Sequence, residues 1–138
     1  GKLDLWVHAA VHAAPMAPAS SLATKDWQKS IDINVTSLGR LIPFIEPLLL
    51  ASGGGQAVFF EDTHAGEKFF GAYGASKAAQ IALARSWQAE AAKIGPKIHI
   101  TTPAPMPTAT RARFYPGEDR STLTSPSVEA AKIVALLD

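Results

Sequence analysis

Three short apolar runs, residues 3–8, 56–61 and 97–102, are separated by stretches in which apolar positions return every three or four residues. Runs of that length bounded by Gly-, Pro- or Ala-rich loops have the character of strands, and the longer periodic stretches that of helices. The first helix should run from about residue 25 toward residue 50. Thr24 is its expected N-cap, and Asp26 in the first turn would complement the unsatisfied N–H groups there. Pro43 and Pro47 each remove a helix hydrogen bond, which predicts a kink or break in the C-terminal third. Ser52 to Gly55 then end it.

A second helix is predicted over residues 72–94. Ala75, Ala78, Ala79, Ala82, Leu83 and Trp87 recur along it, and Gly95-Pro96 supplies a stop. So many alanines either permit close packing on a sheet or a symmetry mate, or reflect helix propensity alone. Residues 103–116 carry four prolines and read as a loop. A last helix is predicted from Ser125-Pro126 to the end of the chain, with Glu129 in its first turn. Strands alternating with helices imply an α/β fold with a parallel sheet, because each crossover must return the chain in the same direction.

The chain has 138 residues, enough for a single domain (1–138) with a core that needs no staples. It has no cysteine, so disulfides and thiolate metal sites are excluded. The net charge is +1 without a run of like charges, which sets aside nucleic acid and anionic membranes as partners. The apolar N-terminal stretch is interrupted by Asp4, His8, His12, Pro15 and Pro18 and lacks a basic n-region, so it is not read as a signal peptide. The longest apolar run, residues 41–51, contains Pro43, Glu46 and Pro47 and is too short for a membrane span. A soluble, cytoplasmic protein is the expectation.

No G-x-G-x-x-G or P-loop occurs, and Gly53-Gly54-Gly55 precedes a strand instead of joining a strand to a helix, so it is read as a turn. Tyr73 and Lys77, at i and i+4, fall on one helix face. A free phenol ionises near pH 10, and an ammonium held beside it lowers that value enough for acid–base work. The same spacing also describes an ordinary exposed helix pair.

Order and spacing add to this pair. Leu3-Asp4-Leu5-Trp6-Val7, Asp26-Trp27, Ile31-Asp32-Ile33-Asn34-Val35-Thr36, Tyr73-Gly74-Ala75-Ser76-Lys77-Ala78-Ala79 and residues 103–108 together resemble the short-chain dehydrogenase/reductase family across nearly the whole chain. The resemblance implies a Rossmann-like parallel sheet with flanking helices, here a partial version of the doubly wound fold. It implies NAD or NADP as cofactor and a small-molecule alcohol or carbonyl as substrate. Tyr73 would exchange a proton with the substrate oxygen, Lys77 would bind the nicotinamide ribose and lower the Tyr73 pKa, and Asn34 would hold a water in the proton relay. Hydride transfer belongs to the nicotinamide.

The departures are specific. Where the family has a serine about thirteen residues before the tyrosine, this chain has Phe59-Phe60-Glu61-Asp62-Thr63-His64. Thr63 is the nearest hydroxyl and the candidate replacement, whereas Asp62 there would bring an anion toward a developing oxyanion. The family's N-N-A-G appears as His8-Ala9-Ala10-Val11, and its P-G as Pro103-Ala104. Ala9, Ala10, Pro103 and Thr108 are the positions expected to meet cofactor, with Thr108 matching the threonine that contacts the carboxamide. The N-terminal βαβ part with the Gly-rich phosphate turn has no counterpart, nor has the last strand. Two functions follow: the catalytic half of an NAD(P)-dependent oxidoreductase, or a non-catalytic remnant that binds no cofactor on its own and acts by self-association. A homo-oligomer is expected from the helices that bear Asn34 and Tyr73.

His8, His12, Glu61, Asp62 and His64 assemble on paper into a metal site, but a loop after His12 is more natural than the helix this spacing requires, so none is expected. Trp6, Trp27 and Trp87 are read as core or interface anchors. Arg111 and Arg113 are read as solvated charge before a phosphate or carboxylate contact.

Overall fold

The computed structural model describes residues 1–138. Its centre is a parallel sheet of β1 (Leu5–His8), β2 (Gln56–Phe60) and β3 (Lys97–Thr101), in the order β1-β2-β3. The register pairs Trp6 with Ala57, His8 with Phe59, and Phe59 in turn with Ile100. Because side chains alternate across a strand, Trp6, His8, Ala57, Phe59, Ile98 and Ile100 share one face. Leu5, Val7, Val58 and His99 point to the other. This is the expected partial Rossmann-like layer.

The first face is the packed one. Phe59 and Ala57 are fully buried there with Leu38, Leu49, Ile81, Ala84 and Trp87 from the crossover helices. Trp6 meets Phe59 edge-on at 5.4 Å, and Trp87 meets it at 6.2 Å. Burying an aromatic ring of this kind contributes about 1.5–3 kcal/mol. Two of the three tryptophans thus anchor the core, while Trp27 stays 40% exposed.

The first crossover comprises α1 (Thr24–Ile31), a π turn (Asp32–Thr36) and α2 (Ser37–Ala51). Ala23, not Thr24, is its N-cap and offers no side-chain bond, so Thr24 is the first helical residue. The predicted break near Pro43 and Pro47 does not occur: α2 runs through both. Both prolines are exposed, as is Gly39, whose carbonyl Pro43 leaves without a helical donor, so the helix is interrupted on its surface side, where a freed group costs least. The irregularity lies upstream, in the π turn around buried Asn34. The 28-residue helical stretch Thr24–Ala51 has the length and apolar content to cross a membrane, but Leu38 and Leu49 fasten it to the sheet layer. Gly53 turns the chain at φ +78°, and a Cβ on Gly55 would lie 2.4 Å from Leu49 O, so the Gly run is the tight turn its position before a strand predicts.

The second crossover helix, α3 (Gly71–Ala91), buries Ile81, Ala84, Trp87 and Ala91 at three- and four-residue intervals. It ends where the Gly95 N–H reaches Ala91 O at 2.9 Å. Within the stretch predicted as loop lies a short helix, α4 (Ala109–Phe114), capped by Thr108, whose hydroxyl accepts from the Arg111 N–H at 3.2 Å. The prolines stop at Pro107 and resume at Pro116, which leaves room for this one turn and a half. The last helix, α5 (Pro126–Leu137), starts on Ser125, which caps the Ser127 N–H.

Candidate active site

In open parallel sheets the carboxyl ends of the strands and the loops that follow them form the natural ligand crevice. Here residues after β1 (Ala9, Ala10), after β2 (Glu61, Asp62) and after β3 (Pro103 to Thr108) converge with the N-terminal end of α3. They enclose a cleft of about 320 Å³ into which Tyr73 and Lys77 open. A second cleft of about 350 Å³ adjoins it, sharing Asp62, Pro103 and Thr108 and adding Thr63, His64 and Arg111.

Tyr73 lies in the first turn of α3 and is 4% exposed. Its hydroxyl donates to Asp62 Oδ2 at 2.6 Å. The other carboxylate oxygen accepts the backbone N–H of His64 at 2.9 Å and also meets His64 Nδ1 in a short hydrogen bond. His64 Nε2 in turn lies 2.9 Å from the Tyr115 hydroxyl. Phe70, Phe114 and Tyr115 wall the imidazole, the nearest with ring centroids 4.4 Å apart. Thr63, the expected stand-in for the family's serine, is exposed and lines only the adjoining cleft. The loop is short enough to bring Asp62, not Thr63, onto the phenol.

This reverses the expected electrostatics of Tyr73. Burial pushes its pKa well above the ordinary phenol value, and the Asp62 hydrogen bond and charge push it further. Burial alone would raise the Asp62 carboxyl as well, but the donors from Tyr73 and His64 outweigh it and hold the group below its ordinary value. Lys77 does not hydrogen-bond to Tyr73. Its Nζ donates to Phe60 O and to Gln80 Oε1, both at 2.8 Å. Burial lowers the Lys77 pKa, with the Asp62 charge acting against that shift.

Asn34 is buried beneath the cleft and fully committed. Its amide pairs with the His12 backbone in both directions, at 2.8 and 2.9 Å, and donates to Ser76 Oγ at 2.9 Å. Its main-chain carbonyl accepts from Gln80 Nε2 at 2.9 Å, so the connection from the Asn34 backbone to Lys77 runs through the Gln80 side chain. The resemblance implied a water in that place. Gln80, Asp62, His64 and Tyr115 are therefore the residues whose roles the sequence did not disclose. The readable signals were Asp62-x-His64, a spacing that lets an aspartate accept from the N–H two residues on, and Gln80 one helical turn beyond Lys77.

Of the positions expected to meet cofactor, Ala9, Ala10, Tyr73, Lys77, Pro103 and Thr108 all line the first cleft. Buried His8 lines it too, and its Nε2 has no hydrogen-bond partner within the chain. Burial, and after it the Lys77 charge, lower the His8 pKa and so favour the neutral ring. With His8 and Lys77 among its lining residues, the crevice offers polar groups that suit the hydroxyl-rich ribose and amide end of a nicotinamide nucleotide. The Thr108 hydroxyl serves as the α4 cap. Arg111 is neither free surface charge nor a ligand arm: it forks onto Glu118 with two bonds of 2.7 Å and stacks 4.5 Å above Tyr115. Arg113 remains exposed.

The profile of the short chain dehydrogenase family matches residues 1–119. The uncharacterized oxidoreductase YciK of Escherichia coli (strain K12) is 30% identical over 132 residues, which span 91% of this chain and 50% of YciK. A short chain dehydrogenase from Salmonella enterica subsp. enterica serovar Typhi str. CT18 superposes with a TM-score of 0.92 at 27% identity, over 99% of this chain and 57% of that one. One from Escherichia coli CFT073, complexed with NADPH, superposes equally well (TM-score 0.92, 28% identity, 99% of this chain and 57% of that one). The chain thus spans about half the length of the relatives it matches. With the profile covering most of its length and the Tyr73–Lys77 helix at the strand ends, this chain belongs to the short chain dehydrogenase family.

Proposed function

We propose that this chain is the catalytic portion of an NAD(P)-dependent oxidoreductase that interconverts an alcohol and a carbonyl. One observation carries the reading: Tyr73, Lys77 and His8 line a single cleft at the carboxyl ends of a parallel sheet. The relative complexed with NADPH supports the choice of cofactor class. The nicotinamide would supply or take the hydride when bound. Lys77 and His8 would hold the ribose end, with Pro103 and Thr108 closing the cleft from the opposite loop. Tyr73 would exchange the proton with the substrate oxygen, and Gln80 keeps the ammonium beside it in place.

The pyrophosphate side of such a cofactor finds no glycine-rich turn in this sequence, so binding should be weak unless that part is supplied. Titration with NADH and with NADPH, followed by fluorescence and calorimetry, tests the proposal. A dissociation constant below about 1 mM for either nucleotide is the expected result, and silence at that concentration would remove it. Given binding, Tyr73→Phe should lower turnover by about 10²–10⁴-fold without disturbing the circular dichroism, because only the ionisable oxygen is lost.

A second reading, a non-catalytic domain acting by self-association, is favoured by one feature. Leu41, Phe44 and Leu48 form an exposed apolar strip on α2, with Phe44 77% exposed. Such a strip suits a second copy of the chain, and a homo-oligomer is compatible with either function. The setting in both cases is a soluble, cytoplasmic protein.

A further inference from the structure

The loop between β2 and α3 puts a carboxylate on the reacting phenol, where the family resemblance called for a hydroxyl. We propose that Asp62 is the proton acceptor for Tyr73, held in that role by His64 and Tyr115, and that the cleft is thereby set to take the hydroxyl of an alcohol in preference to a carbonyl oxygen. This deepens the oxidoreductase reading and rests on it.

A phenol has one proton, and that of Tyr73 is committed to Asp62 Oδ2 at 2.6 Å. Its oxygen then offers only lone pairs to a ligand. A carbonyl oxygen also offers only lone pairs, so the two repel; an alcohol brings a proton of its own and fits. Asp62 cannot easily turn away, because its second oxygen takes both the His64 backbone N–H and the His64 ring. With the ring proton assigned to Nδ1, the nitrogen that meets Asp62, His64 donates to the carboxylate and Nε2 is left to accept from the Tyr115 hydroxyl 2.9 Å away. In that tautomer the protons of Tyr73, His64 and Tyr115 all point toward the carboxylate. The charged groups around it do not displace it. Lys77 on α3 is tied to Phe60 O and Gln80, Arg111 on α4 to Glu118, and Glu61 to Arg85. Burial favours the neutral ring of His8 on β1.

The step balances as follows. The alcohol C–H bond breaks, and its electron pair leaves as hydride to an oxidised nicotinamide dinucleotide. The O–H bond breaks, the carbon–oxygen bond becomes a carbonyl, and that proton passes to Tyr73 Oη as the phenol's own proton passes to Asp62 Oδ2. Tyr73 ends neutral and Asp62 ends protonated. The Asp62 side chain is 26% exposed, so its proton can leave to water.

The chain has two tyrosines, so with tyrosine labelled at Cζ the two phenols give separate magnetic-resonance signals, and Tyr73 ionisation can be followed with Tyr115 in place and without any cofactor. Asp62→Asn, or Asp62→Ser should the first variant fail to fold, should bring that ionisation down by about one to three pH units. An unchanged Tyr73 titration in the folded variant would overturn the coupling. For ligand class, saturation-transfer magnetic resonance with cyclohexanol and cyclohexanone as probes should favour the alcohol in the wild type and shift toward the ketone in Asp62→Ser. The same alcohol-to-ketone ratio in both proteins would overturn the preference. Neither measurement uses cofactor binding, so failure here is distinguishable from failure of the nucleotide titration.

Discussion

Gly74 follows Tyr73 on α3, and a Cβ added there would stand 3.1 Å from both Ala65 Cα and His64 O. Those are backbone atoms of the loop that delivers Asp62 and His64, so they cannot swing aside as a side-chain tip would. Alanine's better helix propensity is worth about 1 kcal/mol, whereas overpacking costs about 1–3 kcal/mol. Gly74→Ala should therefore lower the urea midpoint, and a rise would show that the loop gives way freely. Asn34→Ala should leave the His12 backbone groups unpaired at a cost of about 1–3 kcal/mol each, read in the same unfolding curve. Asp62 adds an acid-sensitive contribution. Its folded pKa lies below the ordinary 3.8, so the stabilisation is complete above that value and fades as pH falls through the folded pKa. Asp62→Asn should flatten acid unfolding in that range; an unaltered curve would deny the linkage. At this scale helical spacing, which is local, paired Tyr73 with Lys77, while Asn34 joined them only through the family resemblance. The sequence could not disclose that Asp62 displaces Thr63 or that Gln80 bridges Lys77 to Asn34, because both depend on how a loop and two helices meet.

Elements were more legible than contacts. The strands and the helix that carries Tyr73 followed from apolar runs and Gly-Pro stops, because burial on a sheet face imposes those patterns directly. The misplaced break in α2 has a simple origin: a proline removes one donor, and the cost depends on whether the freed carbonyl sees water. Sequence gives the proline but not the exposure. The π turn came instead from tertiary demand, with Asn34 held by His12, Ser76 and Gln80 at once. Packing at the sheet face yields an element-scale prediction. Leu38→Ala or Phe59→Ala should cost about 2–5 kcal/mol, since both side chains are fully buried between α2, α3 and the sheet. The same truncation at exposed Leu50 should change stability by less than about 0.5 kcal/mol. Equal effects at core and surface would contradict the placement of the core.

For the whole molecule, the two faces of the sheet are unequal. One is packed by the crossover helices, while on the other Leu5 and Val7 remain 38% and 46% exposed. Light scattering should report an assembly larger than one chain, and Phe44→Ser should shift it toward the monomer if the α2 strip is the contact. A monomer in the wild type at high concentration would remove self-association. The π turn at Asp32–Thr36 bears on the same question. A helix advances about 100° per residue, whereas the wider π turn advances less, so it takes up one extra residue without turning the helix that follows. Deleting Val35 should therefore restore an ordinary helix with Leu38 and Leu49 still on the sheet and Phe44 still outward. Winding the same residues into regular α geometry with Val35 kept would instead swing α2 round by about that angle and take Leu38 and Leu49 off the sheet. The turn thus acts as the rotational index of the molecule: it decides which side of α2 faces the fold's interior and which faces the outside.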